Sequence, residues 1–164
     1  MNYFAYGSNT NLDHLAEYLD THGVTLDNEQ KAEYAQLEGY RLRTNYFASS
    51  QGAGACNIEL APDHQVEGVV MAITPAIQNA LRVKEGCPHR YEEIDVIVHT
   101  AATQAAVRAL TYVVTPTHHL DVDLPVTARY RGLILDGAKH FGFTKGYQQQ
   151  LRRLLRTAPS LLAT

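Results

Sequence analysis

The stretch Asn2-Tyr3-Phe4-Ala5-Tyr6-Gly7-Ser8-Asn9 reads as a short strand as far as Tyr6, stopping on Gly-Ser-Asn, the composition of a turn. Immediately beyond it, Leu12, Leu15, Ala16 and Leu19 recur at the spacing of one helical face. The order is strand, glycine turn, helix, and every other segment of the chain has to be fitted around it.

Moving outward, residues 32–47 are rich in Tyr, Leu and Thr and are interrupted by Gly39, which predicts two strands. A Gly52-Ala53-Gly54 turn leads into a strand over Ala55 to Leu60, and Val66 to Ile73 reads as a separate buried strand. Thr74-Pro75 opens a helix with a capping hydroxyl and a first-turn proline, its stripe is Ile77, Ala80 and Leu81, and Gly86 ends it. Strands follow over Tyr91 to His99 and Ala106 to Thr115, and a loop lies between Pro116 and Pro125. Helical spacing covers Val126 to Phe141 and, after a break at Gly142, Thr144 to Arg156, closed by Pro159. Strands in the middle and helices at the end, without regular alternation or a repeat, predict an α+β domain with a small, mainly antiparallel, barrel-like sheet and flanking helices. At 164 residues a single domain over 1–164 is expected.

Composition narrows the function. A net charge of −3 lacks the basic footprint that a phosphate backbone demands. Arg152, Arg153 and Arg156 read as a solvated helix face, so no nucleic-acid partner is expected. No apolar run reaches the ~18 residues of a membrane span, and the first residues lack the basic and apolar regions of a signal peptide, which predicts a cytoplasmic protein with no membrane partner. Cys56 and Cys87 are too few for a disulfide framework. The eight histidines include no His-x-x-x-His pair, so neither a metal nor another cofactor is expected.

Four places carry chemistry-bearing side chains. Tyr6-Gly7-Ser8-Asn9 can present successive backbone N–H groups to a carboxylate or oxyanion, or it is a plain turn with Asn9 or Asn11 capping the helix. Glu85 is the last helical residue before Gly86, at the end where the backbone dipole disfavours a carboxylate. That placement suits a general base of raised pKa, or else a solvated Glu compensated by Lys84. Tyr91 and Tyr130 follow proline-containing loops, where a phenol can reach a ligand or merely pack. Cys87 with His89 would make a thiol nucleophile and base only if a particular turn brought them together.

In combination these segments resemble the γ-glutamylcyclotransferases. Tyr3 to Asn9 is similar to that family's N-terminal signature, Val66-Glu67-Gly68-Val69-Val70 to its core strand, Lys84-Glu85-Gly86 with Tyr91 to its catalytic segment, and Tyr130 before Gly137-Ala138-Lys139 to its C-terminal ligand-binding region. Thr10 stands where the family usually has Leu. The resemblance implies a small barrel that converts a γ-glutamyl amine into 5-oxoproline and a free amine. It further implies that Glu85 is the acid/base and that Tyr6, Gly7, Ser8, Asn9, Tyr91 and Tyr130 bind the small-molecule γ-glutamyl substrate. Two alternatives remain on this reading: a γ-glutamyl hydrolase or transferase acting through Cys87, and a non-catalytic domain that binds a small acid.

Overall fold

Gly39 does not end a strand. In the structure, a computed structural model that describes residues 1–27 and 31–159, the segments expected on either side of it form one strand, β2 (Ala32–Ala48), and the two expected over residues 55–73 form one strand, β3 (Ala53–Ala72). The two make a single long antiparallel hairpin running from Ala32 opposite Met71 to Ala48 opposite Ala53. Gly39 takes φ +79 where the register jumps between Glu38 and Tyr40, and residues 61–64 are accommodated at the same irregularity. A bulge bends a strand and exposes a few polar residues without ending the pairing. Gly39 and the segment Ala61-Pro62-Asp63-His64 therefore imitate a break in the sequence.

The rest of the sheet closes around this hairpin. β1 (Asn2–Ala5) lies antiparallel to β3, from Asn2 opposite Ala72 to Ala5 opposite Val69, and parallel to β5 (Ala106–Val114) through Tyr3 and Leu110. β4 (Tyr91–Thr100) pairs with β5 along its length and with β2 at Ala35 and Gln36. The result is a closed barrel in the order β1-β3-β2-β4-β5, in which, among the described residues, the β1–β5 contact is parallel and the other pairings are antiparallel. Phe4, Leu37, Val66 and Val98 are fully buried within the core.

Among the described residues four helices flank the barrel: α1 (Leu12–Thr21), α2 (Pro75–Glu85), α3 (Ala128–His140) and α4 (Lys145–Leu154). Thr74 caps α2 by accepting the Ile77 N–H, and Gly86 at φ +65 stops it in the left-handed conformation that favours glycine. α3 and α4 are shorter than their periodicity predicts because their outer ends pair with each other, Val126 N–H donating to Arg156 O at 2.8 Å. The final residues of the expected domain, 160–164, lie outside those described.

The seating of β1 depends on Gly68. A Cβ there would fall 2.4 Å from Ala5 O and 2.5 Å from the Phe4 ring, so one of the two strands must move. Gly68→Ala is expected to lower stability by about 1–3 kcal/mol, the usual range for an overfilled core, as read from the shift of a denaturant midpoint.

Candidate active site

β1 delivers Tyr6 and Gly7 to one end of the barrel, where the chain makes a single 3₁₀ turn over Ser8–Thr10. Thr10 holds the turn twice: its N–H donates to Gly7 O at 3.0 Å and its hydroxyl to the same oxygen at 2.8 Å. Gly137 of α3 packs directly on Thr10, a Cβ there meeting Oγ1 at 2.5 Å. Thr10, the departure from the resemblance, thus locks the turn and seats α3 upon it. Among the described residues no protein acceptor takes the amide hydrogens of Gly7, Ser8 or Asn9. The cap of α1 is Asn11, which accepts from His14 N–H, so the side chain of Asn9 is left for other work.

That work is to join the turn to α2. Asn9 is buried; its amide donates to Tyr3 Oη at 2.9 Å and to Glu85 Oε1 at 3.2 Å, while its Oδ1 accepts from Lys84 Nζ at 2.5 Å. Glu85 is half-buried, its carboxylate facing inward where burial pushes its pKa above the ordinary carboxylate range, opposed by Lys84, the Asn9 hydrogen bond and Arg90. The upward shift expected for Glu85 is therefore present, with loss of water as its main cause. Lys84 is not a solvated compensator: burial lowers its pKa, and its ammonium is occupied by Asn9.

The facing wall is organised by the backbone of Cys56. Tyr91 Oη donates to Cys56 O at 2.8 Å, and Cys56 N–H donates to Tyr130 Oη at 2.9 Å. Tyr6 Oη donates to Tyr112 O at 2.5 Å. These bonds fix what each phenol can still do. Tyr6 and Tyr91 have committed their protons and can only accept from a ligand, whereas Tyr130, which accepts the Cys56 N–H, has its own proton to give either to the Cys56 sulfur beside it or to a ligand. Tyr46 packs edge-on against Tyr91 with ring centroids 5.1 Å apart.

Tyr6, Gly7, Ser8, Asn9, Glu85, Tyr91 and Tyr130, singled out from sequence, all line one inner cavity of about 40 Å³. Ser8, Glu85, Tyr91 and Tyr130 also line a larger cleft of about 570 Å³. Sequence reasoning missed Tyr3, Cys56 and Tyr112, which complete the inner wall, and the placement of Lys84. Cys56 carried no sequence signal because it contributes mainly its peptide groups. Burial pushes its thiol up to about 12, so it stays protonated. Cys87 and His89 line neither space. Among the described residues no three His, Cys, Asp or Glu side chains are grouped to hold a metal ion, and no helix is long and apolar enough to cross a membrane.

An enclosed carboxylate beside unpaired backbone N–H groups and a proton-donating phenol is able to hold a small polar ligand and move a proton on it. Comparison with known proteins bears on the fold and the family. The model of the AIG2-like family matches residues 65–151, more than half of the chain. By sequence no curated protein matches. Among solved structures, one described as a gamma-glutamyl cyclotransferase superposes with a TM-score of 0.80 at 22% identity, over 100% of this chain and 93% of that one. An uncharacterized protein from Homo sapiens gives 0.79 at 24% identity, over 95% and 88%. A yeast gamma-glutamyl cyclotransferase specific to glutathione gives 0.65 at 12%, over 94% and 95%. At such identities the likeness is one of fold, and it extends along nearly all of each chain. With its family model spanning β3 to α4 and this barrel shared with γ-glutamyl cyclotransferases, the chain belongs to the AIG2-like family.

Proposed function

We propose that the protein is a γ-glutamylcyclotransferase, releasing 5-oxoproline and a free amine from a γ-glutamyl amine. The observation that carries this reading is the inward-facing Glu85 carboxyl, tied through Asn9 to the turn whose N–H groups have no protein acceptor.

The reaction joins the substrate's α-nitrogen to its own γ-carbonyl carbon and breaks the bond from that carbon to the departing nitrogen. A tethered nucleophile held in its reactive conformer can remove roughly 7–11 kcal/mol of the barrier. The folded conformer is held on one side by the turn and on the other by Tyr130 donating and Tyr6 and Tyr91 accepting. The α-ammonium must lose a proton before it attacks. With reference pKa values near ~7.8 and ~4.3, transfer to an ordinary Glu is uphill by about 3.5 units, or ~5 kcal/mol. Burial of Glu85 narrows that gap, and the resulting carboxylic acid then protonates the leaving amine. The α-nitrogen gives up two protons in becoming the lactam N–H, one before attack and one as the ring closes, and the departing nitrogen takes up two to leave as an ammonium; Glu85 relays them, and no water is consumed. Backbone N–H groups of the turn stabilise the charge that develops on the γ-oxygen, an effect of ~3 kcal/mol per donor in comparable sites.

Incubation with γ-glutamyl peptides and γ-glutamyl amines, followed by chromatography for 5-oxoproline, tests the proposal. Ligand-dependent stabilisation without product would mark a binding domain instead. Tyr130→Phe is expected to act twice. It removes the proton donor, raising KM by the ~0.5–1.5 kcal/mol of one net hydrogen bond, and it strands the buried Cys56 N–H, lowering stability by about 1–3 kcal/mol. Kinetics combined with thermal melting separate the two, and an unchanged KM would remove Tyr130 from the substrate's path.

A further inference from the structure

A lysine in the last turn of a helix ordinarily reaches into water, where it offsets the dipole of the exposed carbonyls. Lys84 stands at that place in α2 and turns the other way. It is half-buried, and its ammonium lies 5.4 Å from the centre of the Tyr18 ring, whose face attracts a cation. Tyr18 is itself moored to α2, its hydroxyl donating to Ala80 O at 3.3 Å. Among the described residues no carboxylate comes within ion-pairing distance of Lys84, whereas Arg41, Arg43, Arg82 and Arg108 each have one. Enclosing a cation without a carboxylate partner is costly, and burial accordingly lowers the pKa of Lys84.

What the ammonium does have is Asn9 Oδ1, at 2.5 Å. By shape alone a carboxamide fits its place in two orientations that exchange its oxygen and nitrogen, but an ammonium has three donors and no acceptor, so it admits only the oxygen. With Oδ1 fixed there, Asn9 Nδ2 faces the other way, donating to Tyr3 Oη at 2.9 Å and to Glu85 Oε1 at 3.2 Å. The turned-over amide would set its oxygen against the Glu85 carboxylate and its nitrogen against the ammonium, two repulsive contacts in place of two attractive ones. A positive charge, an oriented amide and a negative charge stand in line, and the charge of Lys84 decides which way the amide points. The Lys84 charge and the Asn9 bond both favour ionised Glu85, against its burial.

The other groups around Glu85 do not replace this pair. Tyr3 of β1, Tyr6 after it, Tyr18 of α1, Tyr91 of β4, Tyr112 of β5 and Tyr130 of α3 are phenols that burial keeps protonated. Burial, Lys84 and Arg129 hold the His14 imidazole of α1 below its ordinary value. Arg90, which follows α2, and Arg129 of α3 are exposed, and neither bonds Asn9. We propose that Lys84 is a positioning residue of this reaction: by holding the Asn9 amide with its N–H groups toward Glu85, it keeps that carboxylate ionised and aimed for the proton of the substrate's α-ammonium. This rests on the cyclotransferase reading and adds to it a residue that acts through Asn9 rather than on the substrate.

Lys84→Met removes the charge and the donor while keeping a side chain of similar length. Glu85 then ionises less readily, so its base form is scarcer on the acid side. The acidic limb of the kcat/KM profile for 5-oxoproline release is expected to move to higher pH, with a loss of about tenfold on that limb and about threefold or less above it. The loss falls on kcat, and KM changes by less than about twofold, as for an interaction that does not bind substrate. K84R, which keeps the charge and the donors, should return the limb toward its wild-type position. K84Q, whose own amide can present either end to Asn9, should show the same displacement as K84M and serves if that variant does not fold. A titration of the Glu85 carboxyl carbon by NMR, assigned by its loss in E85Q, reads the link through Asn9 without turnover: K84M should raise the midpoint, and should raise it less in an N9A background. A limb that stays in place while only the melting temperature falls would make Lys84 structural. A raised KM at unchanged kcat would make it a substrate contact, and an equal rise of the midpoint with and without Asn9 would remove the amide from the link. Each of these overturns the proposal and leaves the cyclotransferase reading intact. If no γ-glutamyl compound turns over, that reading fails, and the NMR midpoints still decide whether Lys84 governs Glu85 through Asn9.

Discussion

Glu85→Gln is expected to lower kcat/KM for 5-oxoproline release by ~10²-fold or more, the scale of losing a general base, and to melt no lower than the wild type. Gln keeps the size of the side chain and an oxygen that can still accept from Asn9 Nδ2, so the geometry at the end of α2 survives. What disappears is a site for the proton. The stability half follows from the direction of the pKa shift. Burial raises the folded-state pKa of Glu85 above its unfolded value, so the native state binds this proton more tightly than the unfolded one does. The penalty of an enclosed negative charge is absent below the unfolded pKa and reaches full size above the folded one. The melting temperature of Glu85→Gln relative to wild type should therefore rise as pH increases through that window. Turnover retained by the variant would remove Glu85 from the chemistry, and a melting temperature well below wild type at neutral pH would make it a structural residue.

Acetylating the α-amine of a γ-glutamyl substrate is expected to abolish turnover. The acetylated nitrogen has no usable lone pair, yet the γ-amide to be cleaved is untouched, so an enzyme that attacks with water or a thiol would still cut it. Run in ¹⁸O-water with the unblocked substrate, the reaction should give unlabelled 5-oxoproline as its first product, because the ring nitrogen replaces the departing one without added oxygen. Glutamate with label in its γ-carboxylate, or cleavage of the acetylated compound, would show that Glu85 activates water. The thiols offer no easy route to that outcome: Cys56 is held protonated by burial and Cys87 lies outside both spaces.

Features that depend on local chemistry were legible in the sequence. Thr74-Pro75 and Gly86 delimit α2 by capping and backbone conformation, and Glu85 stood out because it opposes a dipole one residue from that stop. The turn after Tyr6 was visible through its composition. What escaped notice is non-local. Gly39 and the segment Ala61-Pro62-Asp63-His64 look like loops, and only the partner strand shows that the ladder continues past them. Asn9 is equally suited to a helix cap by type, and its real task needs Lys84 and Tyr3 beside it. The Cys56 backbone as the mount for Tyr91 and Tyr130 has no sequence signature, since any residue supplies an N–H and a carbonyl.

The insertion of β1 between β3 and β5 has a consequence for how an active molecule comes into being. The bonds that define the inner cavity join residues far apart along the chain: Asn9 to Glu85 across 76 positions, Cys56 to Tyr130 across 74, and Tyr6 to Tyr112 across 106. Contacts of such long range form late and slowly, because the loops between them must be closed first. On a ribosome the glycine turn emerges well ahead of the wall it faces, because α3 is made more than a hundred residues later. A nascent chain halted before Tyr130 would leave Cys56 N–H without its phenol and the turn without α3 at its back, and the inner cavity would stay open on that side.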